Sequence, residues 1–294
     1  MMMLDASLLI RILTHNIRYA TDSPFKGEKP WPERRDLIIN ELKYNTLYNP
    51  EAFVCLQEVL HNQLADILTG LNGTRSATAP SPSQDEWTYI GVGRDDGYQE
   101  GEYSPILYRP SVWAVKAWKT VWLSPTPDQP GLGWDATSVR IVTVGTFMHR
   151  ASKRQVVGLC THFDDSGAVS RRKSAKLVLR IVDDITSAAS DESRLPIWLA
   201  GDLNSPPEDE AYQILNDEGS LLRDSRGLAQ WRYGNQHTFT GFEELKEELT
   251  LIDFVFVGKN GWDIKGSSVL SNRFEDGVYS SDHRAVVVDA VLDA

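Results

Sequence analysis

Apolar residues along this chain come in short unbroken runs, separated by stretches of helical period. Residues 7–17, SLLIRILTHNI, form a run apolar enough for a strand covered on both faces. Residues 32–45, PERRDLIINELKYN, follow with helical spacing and a proline at the N-terminal end. The alternation repeats: AFVCLQEV (52–59) predicts a second buried strand and HNQLADILTGL (61–71) a helix. TYIGVGR, SPILYRP and VWAVKAWKTVWLS then predict strands interrupted by glycine and proline. RIVTVGTFMHR and QVVGLCTHF flank the tetrapeptide ASKR, a hairpin signature. A long helix is expected from Ser170 to about Ala189, with Ala175, Val178, Val182 and Ile185 on one face. LPIWLAGDLN predicts a strand ending in polar residues, and PPEDEAYQILND a helix opened by proline and acids. TLIDFVFVG and AVVVDAVL predict two more strands. Continuous apolar strands need cover on both faces, so the pattern implies a layered α/β architecture of two packed sheets with helices outside.

Composition narrows this picture. The 294 residues contain no long linker, low-complexity stretch or solenoid-length repeat, which favours one domain over 1–294. The formal charge of −11 argues against nonspecific gripping of duplex DNA, where phosphate neutralisation supplies most of the affinity. It leaves phosphoester chemistry open, because a bound cation supplies positive charge locally. The two cysteines, Cys55 and Cys160, lie in apolar runs and are expected as small core residues of neighbouring strands. Nine tryptophans are mostly expected between layers, with Trp31 or Trp134 as candidates to stack on a substrate ring. The N-terminus lacks a signal-peptide pattern and no segment has the ~18 apolar residues of a membrane span. A cytoplasmic protein is expected, with a nuclear one as the alternative.

The informative chemistry is a repeated interruption. Apolar runs end abruptly in polar or acidic residues: Asn16 after RILTH, Glu58 after FVCLQ, His162 after VVGLCT, and Asp202 with Asn204 after PIWLAG. Asp253 sits inside LTLIDFVFV, and Asp282-His283 precede AVVV. Carboxylates at the ends of buried strands must be paired, hydrogen-bonded or bound to metal. Oxygen-rich ligation without a cysteine or histidine cluster points to Mg²⁺ or Mn²⁺ rather than zinc.

In this order, THNI, LQEV, THFDD, GDLNS, LIDFVFV and SDH resemble the endonuclease/exonuclease/phosphatase superfamily over nearly the whole chain, from Asn16 to His283. GVGRDDG, GEYSPILYRP and WLSPTPDQPGLGWD are similar to a bacterial and fungal branch labelled deadenylase-like. The resemblance implies a four-layer α-β-β-α sandwich of two packed mixed sheets flanked by helices, with the site at the strand ends. It implies that Asn16 and Glu58 help hold a catalytic Mg²⁺ with Asp282 near it, and that Asp202 orients or deprotonates the attacking water. Asn204 would steady that water and the phosphoryl oxygens. His283 would bind the scissile phosphate, oriented by Asp253, and His162 would be a second donor or acid. Two positions depart from the family pattern: Cys160 stands where many relatives carry Asn, and Leu251 where a basic residue often precedes Ile-Asp.

Other candidates rest on residue type alone. Arg140 could fork onto phosphate or form a surface ion pair. Asp95, Asp96 and Glu102 lie in a glycine-flanked loop and either line the substrate site or are turn residues. His237 resembles a rim residue or is merely exposed. His15, His61 and His149 are expected to be structural or surface residues. Arg171-Arg172-Lys173 is either a solvated helix start or a patch steering anions. The leading expectation for the substrate is a phosphodiester, single-stranded RNA or DNA cut from an end. The alternative is a small sugar-, inositol- or lipid-headgroup phosphate, and a non-catalytic binding module is the remote third. No obligate protein partner is expected. Substrate choice is assigned to loops at 20–32, 72–87, 94–104 and 124–138.

Overall fold

A computed structural model describes residues 7–73, 86–188, 195–244 and 248–292. Residues 1–6 and most of the expected specificity loop at 72–87 lie outside them. Among the described residues, thirteen strands form two mixed sheets. The first sheet is built on β1 (Leu8–Asn16), which runs parallel to β2 (Phe53–Gln57) and antiparallel to β13 (Val286–Leu292). β3 (Thr88–Ile90) and β4 (Ile106–Tyr108) extend it beyond β2; β12 (Trp262–Val269) and β10 (Trp231–Gly234) extend it beyond β13. The second sheet runs β5 (Trp113–Trp122), β6 (Ile141–His149), β7 (Gln155–His162), β8 (Ile197–Asp202), β11 (Asp253–Gly258) and β9 (Leu222–Asp224). Here β7 and β8 are parallel, and β11 is antiparallel to β8.

Strand alternation assigns each side chain to one of three apolar layers. Phe53 and Cys55 of β2 meet Trp198 and Ala200 of β8 in the layer between the sheets. Their neighbours Val54 and Leu56 point outward, against Ile38, Leu42, Leu64 and Ile67 of helices α1 (Trp31–Thr46) and α2 (His61–Asn72). On the far side, Leu199 and Leu159 meet Ala175, Val178 and Val182 of α3 (Ala168–Ala188) and Ala211 and Leu215 of α4 (Glu210–Asn216). The expected α-β-β-α sandwich follows. Every one of the three layers is apolar, which is why the central strands β2, β7, β8 and β11 show no polar face in sequence. Gly158 in β7 gives the Trp198 indole its space, since a Cβ there would lie 2.2 Å from the ring.

Details differ from the sequence expectation. Cys55 and Cys160 are buried and free, but rather than lying on neighbouring strands of one sheet they come from opposing sheets and share the layer between them. The expected strand at 88–94 stops at Ile90, because Gly91, with φ 131°, turns the chain into a loop. β12 had no clear signal: WDIKGSSV alternates weakly and half of it is solvent-facing. No described helix is long and apolar enough to cross a membrane.

Candidate active site

Parallel strands end, and antiparallel ones begin, at the same edge of a sheet. β1, β2, β7 and β8 therefore end where β11 and β13 begin, and the six polar interruptions converge there. The registers His162↔Asp202 and Asp253↔Asp202 bring three of them to one rung. The opposing sheet contributes Asn16, Glu58 and Asp282-His283.

Asn16 bridges the sheets. Its Nδ2 donates to Glu58 Oε1 at 2.9 Å and to Asp202 Oδ2 at 3.0 Å, while its Oδ1 accepts the Arg18 N–H at 3.0 Å. Glu58 Oε2 accepts the Tyr19 N–H at 3.2 Å and lies 3.7 Å from the Arg18 guanidinium. Asp202 Oδ1 takes the Asn204 N–H at 2.8 Å; Oδ2 faces His162 Nε2 at 3.3 Å and His283 Nε2 at 3.7 Å. Asn204 Nδ2 donates to the Phe163 carbonyl at 3.0 Å and lies 3.0 Å from His162 Nε2. His283 Nδ1 is bonded to Asp253 Oδ2 at 2.8 Å, and Phe239 packs edge-on against the ring. The Ser281 hydroxyl donates to the Asn16 carbonyl at 2.6 Å, tying the Asp282 segment to β1.

This assembly holds its backbone under strain. Arg18, Glu58 and Asn204 have φ of 58°, 57° and 47°, a left-handed conformation costing about 1–3 kcal/mol each in non-glycine residues. Gly201, just before Asp202, has φ 151°, and a Cβ there would lie 2.0 Å from the Thr161 carbonyl. Only glycine lets β8 approach β7 closely enough to set Asp202 beside His162.

Charge is sorted between the carboxylates. Burial works against the Asp202 charge, but His162 and His283 outweigh it and hold that carboxyl far below its usual range. Burial also opposes the Glu58 charge, yet His162, the Asn16 amide, His283 and Arg18 keep it low. Burial pushes Asp282 up, and although His283 offsets part of this, the neighbouring Glu58 charge adds to it. Burial raises Asp253 too, with His283 offsetting part. Burial would lower His283, but the Asp253 and Asp202 charges raise it well above the ordinary imidazole range.

Asn16, Glu58 and Asp282 offer hard oxygen donors, the set that suits a small divalent cation. Glu58 and Asp282 line one cavity, and the Glu58 charge adds to the burial that pushes Asp282 up, a placement that a cation relieves. Asp202, Asp253 and His283 also offer atoms within 4.8 Å of one another. There, however, the Asp253–Nδ1 bond uses both partners to orient the imidazole.

A cavity of about 510 Å³ opens over this cluster, lined by Glu58, His162, Asp202, Asn204, Asp282 and His283 and further by Glu102 and Arg140. The Arg140 guanidinium bonds Asp165 at 2.8 Å and approaches Asp164 at 3.4 Å, so it is both cavity wall and ion pair. Asp96 lies outside the cavity: its carboxylate accepts the N–H groups of Tyr98 and Glu100. Being a turn residue fully in solvent, it is not brought to the site that the sequence suggested for it. Trp31 is buried with its Nε1 on Asp66, and Trp134 and His237 are not among the lining residues. Arg171 and Arg172 pair with Asp209 and Glu210 on the outer face. His15 is fully buried, its Nε2 on the His283 carbonyl and its Nδ1 2.8 Å from Glu41. The sequence reading missed Arg18, Tyr19, Phe25, Arg94 and Phe239, which also line the cavity. Arg18 had one signal: a charged residue two positions after the Asn16 interruption.

Fold and site together define a phosphoesterase architecture. The family model described as "Endonuclease/Exonuclease/phosphatase family" matches residues 13–283, and the chain belongs to this family of metal-dependent phosphoester hydrolases. An endonuclease/exonuclease/phosphatase protein of Bacteroides vulgatus is 31% identical, with 97% of this chain and 99% of that one covered at a TM-score of 0.83. A mannosyl-6-phosphatase of Bacteroides thetaiotaomicron is 28% identical, with 96% and 100% covered at 0.82. The human nocturnin catalytic domain, 18% identical with 97% and 95% covered at 0.67, shares the fold.

Proposed function

We propose that the protein is a Mg²⁺-dependent phosphatase of a small phosphorylated metabolite, a sugar monophosphate in the first instance. One observation carries this reading: each guanidinium lining the cavity is already paired with a carboxylate. Arg18 faces Glu28 and Glu58, Arg94 holds Glu102, and Arg140 holds Asp165. A polynucleotide needs unpaired cations along its track of phosphates, whereas a single phosphoryl group needs one cation and a few donors. The cavity volume suits a ligand of that size, and the Bacteroides mannosyl-6-phosphatase supports it by similarity.

In this mechanism Asn16, Glu58 and Asp282 would hold the Mg²⁺, which when bound would supply positive charge to the phosphoryl oxygens. Asp202, kept ionised, accepts a hydrogen bond from water and turns its lone pair toward phosphorus. It takes the proton as the new P–O bond acidifies that water. Protonated His283, its tautomer and direction set by Asp253, donates from Nε2 to a phosphoryl oxygen as charge grows there. The Asn204 amide stands beside the same oxygens. The ester P–O bond breaks and His162, acting as the acid, gives a ring proton to the departing alkoxide, leaving alcohol and inorganic phosphate.

Phosphate release from p-nitrophenyl phosphate and hexose 6-phosphates, with Mg²⁺ or Mn²⁺, tests the reading beside bis-p-nitrophenyl phosphate and single-stranded oligonucleotides. Monoester turnover that disappears in Asp202→Ala is expected. Cleavage confined to diesters would overturn it in favour of an end-acting nuclease.

A further inference from the structure

Arg94 and Glu102 line the cavity yet have no part in the phosphoryl chemistry. They stand at the two ends of the loop between β3 and β4, whose sequence GRDDGYQEGE is built to be stiff. The Arg94 N–H donates to the Glu102 carbonyl at 3.1 Å, and the Asp95 N–H to the Glu100 carbonyl at 3.1 Å. Asp96 closes the tip by accepting from Tyr98 at 2.7 Å and Glu100 at 3.0 Å. A Cβ on Gly93 would lie 2.3 Å from the Glu100 carbonyl, and one on Gly101, whose φ is 78°, 2.4 Å from Asp95 Oδ2. From outside, Trp122 Nε1 donates to the Arg94 carbonyl at 2.8 Å, and Tyr103 Oη to the Tyr98 carbonyl at 2.9 Å.

So anchored, the loop sets Arg94 Nη1 2.7 Å from Glu102 Oε2, each side chain about 15% exposed and facing the cavity. Oε2 also lies 3.8 Å from His162 Nδ1, while no described residue bonds to Glu102 Oε1. The exposed edge of the pair thus offers a carboxylate acceptor and guanidinium donors side by side, with no net charge. A second phosphate gains nothing from such an edge, and an apolar leaving group would strand both ions without water. Adjacent hydroxyls, each able to donate and accept, satisfy it.

We propose that Arg94 and Glu102 determine specificity by reading neighbouring hydroxyls on the leaving-group side of the substrate; this rests on the phosphatase reading above. The pair then acts on polyhydroxylated phosphate esters and discriminates against esters without hydroxyls. Asp96, remote from the cavity, contributes by holding the loop closed.

The test is the ratio of kcat/KM for a hexose 6-phosphate to that for p-nitrophenyl phosphate, in wild type, Glu102→Gln and Arg94→Gln. A role confined to orienting His162 would slow both substrates alike and cancel in the ratio. Hydroxyl reading lowers the ratio by about tenfold or more, the scale on which sites built for polar groups discriminate. A ratio within about threefold of wild type in both variants overturns the proposal. A wild-type series of single-deoxy hexose 6-phosphates needs no variant to fold: at least one member is expected to lose about tenfold, and a flat series overturns the proposal. Absence of all monoester turnover in the wild type would instead remove the phosphatase reading, and this inference with it.

Discussion

The bond between His283 and Asp253 is the contact whose loss should be most legible in kinetics. Both side chains are buried, 5% and 0% exposed, and Nδ1 to Oδ2 is 2.8 Å. Asp253→Asn keeps the shape but removes the charge that, against burial, contributes most to raising His283. A buried hydrogen bond to a charged group contributes about 1.5–3 kcal/mol. At 1.36 kcal/mol per decade this is a fall of roughly 10- to 150-fold in kcat/KM at neutral pH, if the bond matters chiefly in the transition state. The pH profile carries a second signature. In wild type the raised imidazole stays protonated through neutrality, so activity that depends on it fails only as pH rises through that raised value. Removing the Asp253 charge lowers the value, and the alkaline limb should move toward lower pH. The assay is kcat/KM on a monoester from pH 5 to 10 at saturating Mg²⁺, with circular dichroism to show that the variant is folded. A folded Asp253→Asn within twofold of wild type at pH 7, with its alkaline limb unmoved, would refute the role given to His283.

Further consequences concern metal, backbone and acid stability. Glu58→Gln should weaken Mn²⁺ binding by about tenfold or more in isothermal titration calorimetry, and unchanged affinity would place the cation elsewhere. Gly201→Ala puts a methyl against the Thr161 carbonyl and should cost about 2–4 kcal/mol by urea unfolding; a loss below about 1 kcal/mol would show that β7 and β8 separate easily. Asp164 is fully buried, yet the Gly167 N–H, the Arg140 guanidinium and the Ser138 and Thr137 N–H groups overcome burial and hold its carboxyl low. Its stabilisation is therefore present above the unfolded carboxylate value near ~3.9 and lost as pH falls from there toward the folded value. Asp164→Asn should lower Tm at pH 7 and lose that deficit under strongly acid conditions; a deficit independent of pH would mean that the charge is irrelevant.

The local grammar of the chain was enough to establish the layers and the candidate chemistry. A strand buried on both faces has no polar face to display, so FVCLQ and PIWLAG could be read as covered strands, and Glu58, Asp202 and Asn204 stood out as interruptions. Reading them in order was enough to resemble a family, because strand ends lie at one edge of a sheet wherever the strands are parallel. What periodicity cannot report is which interruption meets which. Asn16 and Asp202 are 186 residues apart, and their 3.0 Å bond exists because two sheets pack face to face in one particular register. Asp96 and Glu102, six residues apart in the same loop, look alike in sequence; the turn sends one carboxylate to its own backbone and the other into the cavity. Arg94 and Arg140 carried no more signal than any arginine, since their meaning lies in the carboxylates they face. β12 escaped notice because a half-exposed strand is held by its neighbour rather than by its own composition. Short-range pattern sets which face a residue presents, and only long-range register decides what that face meets.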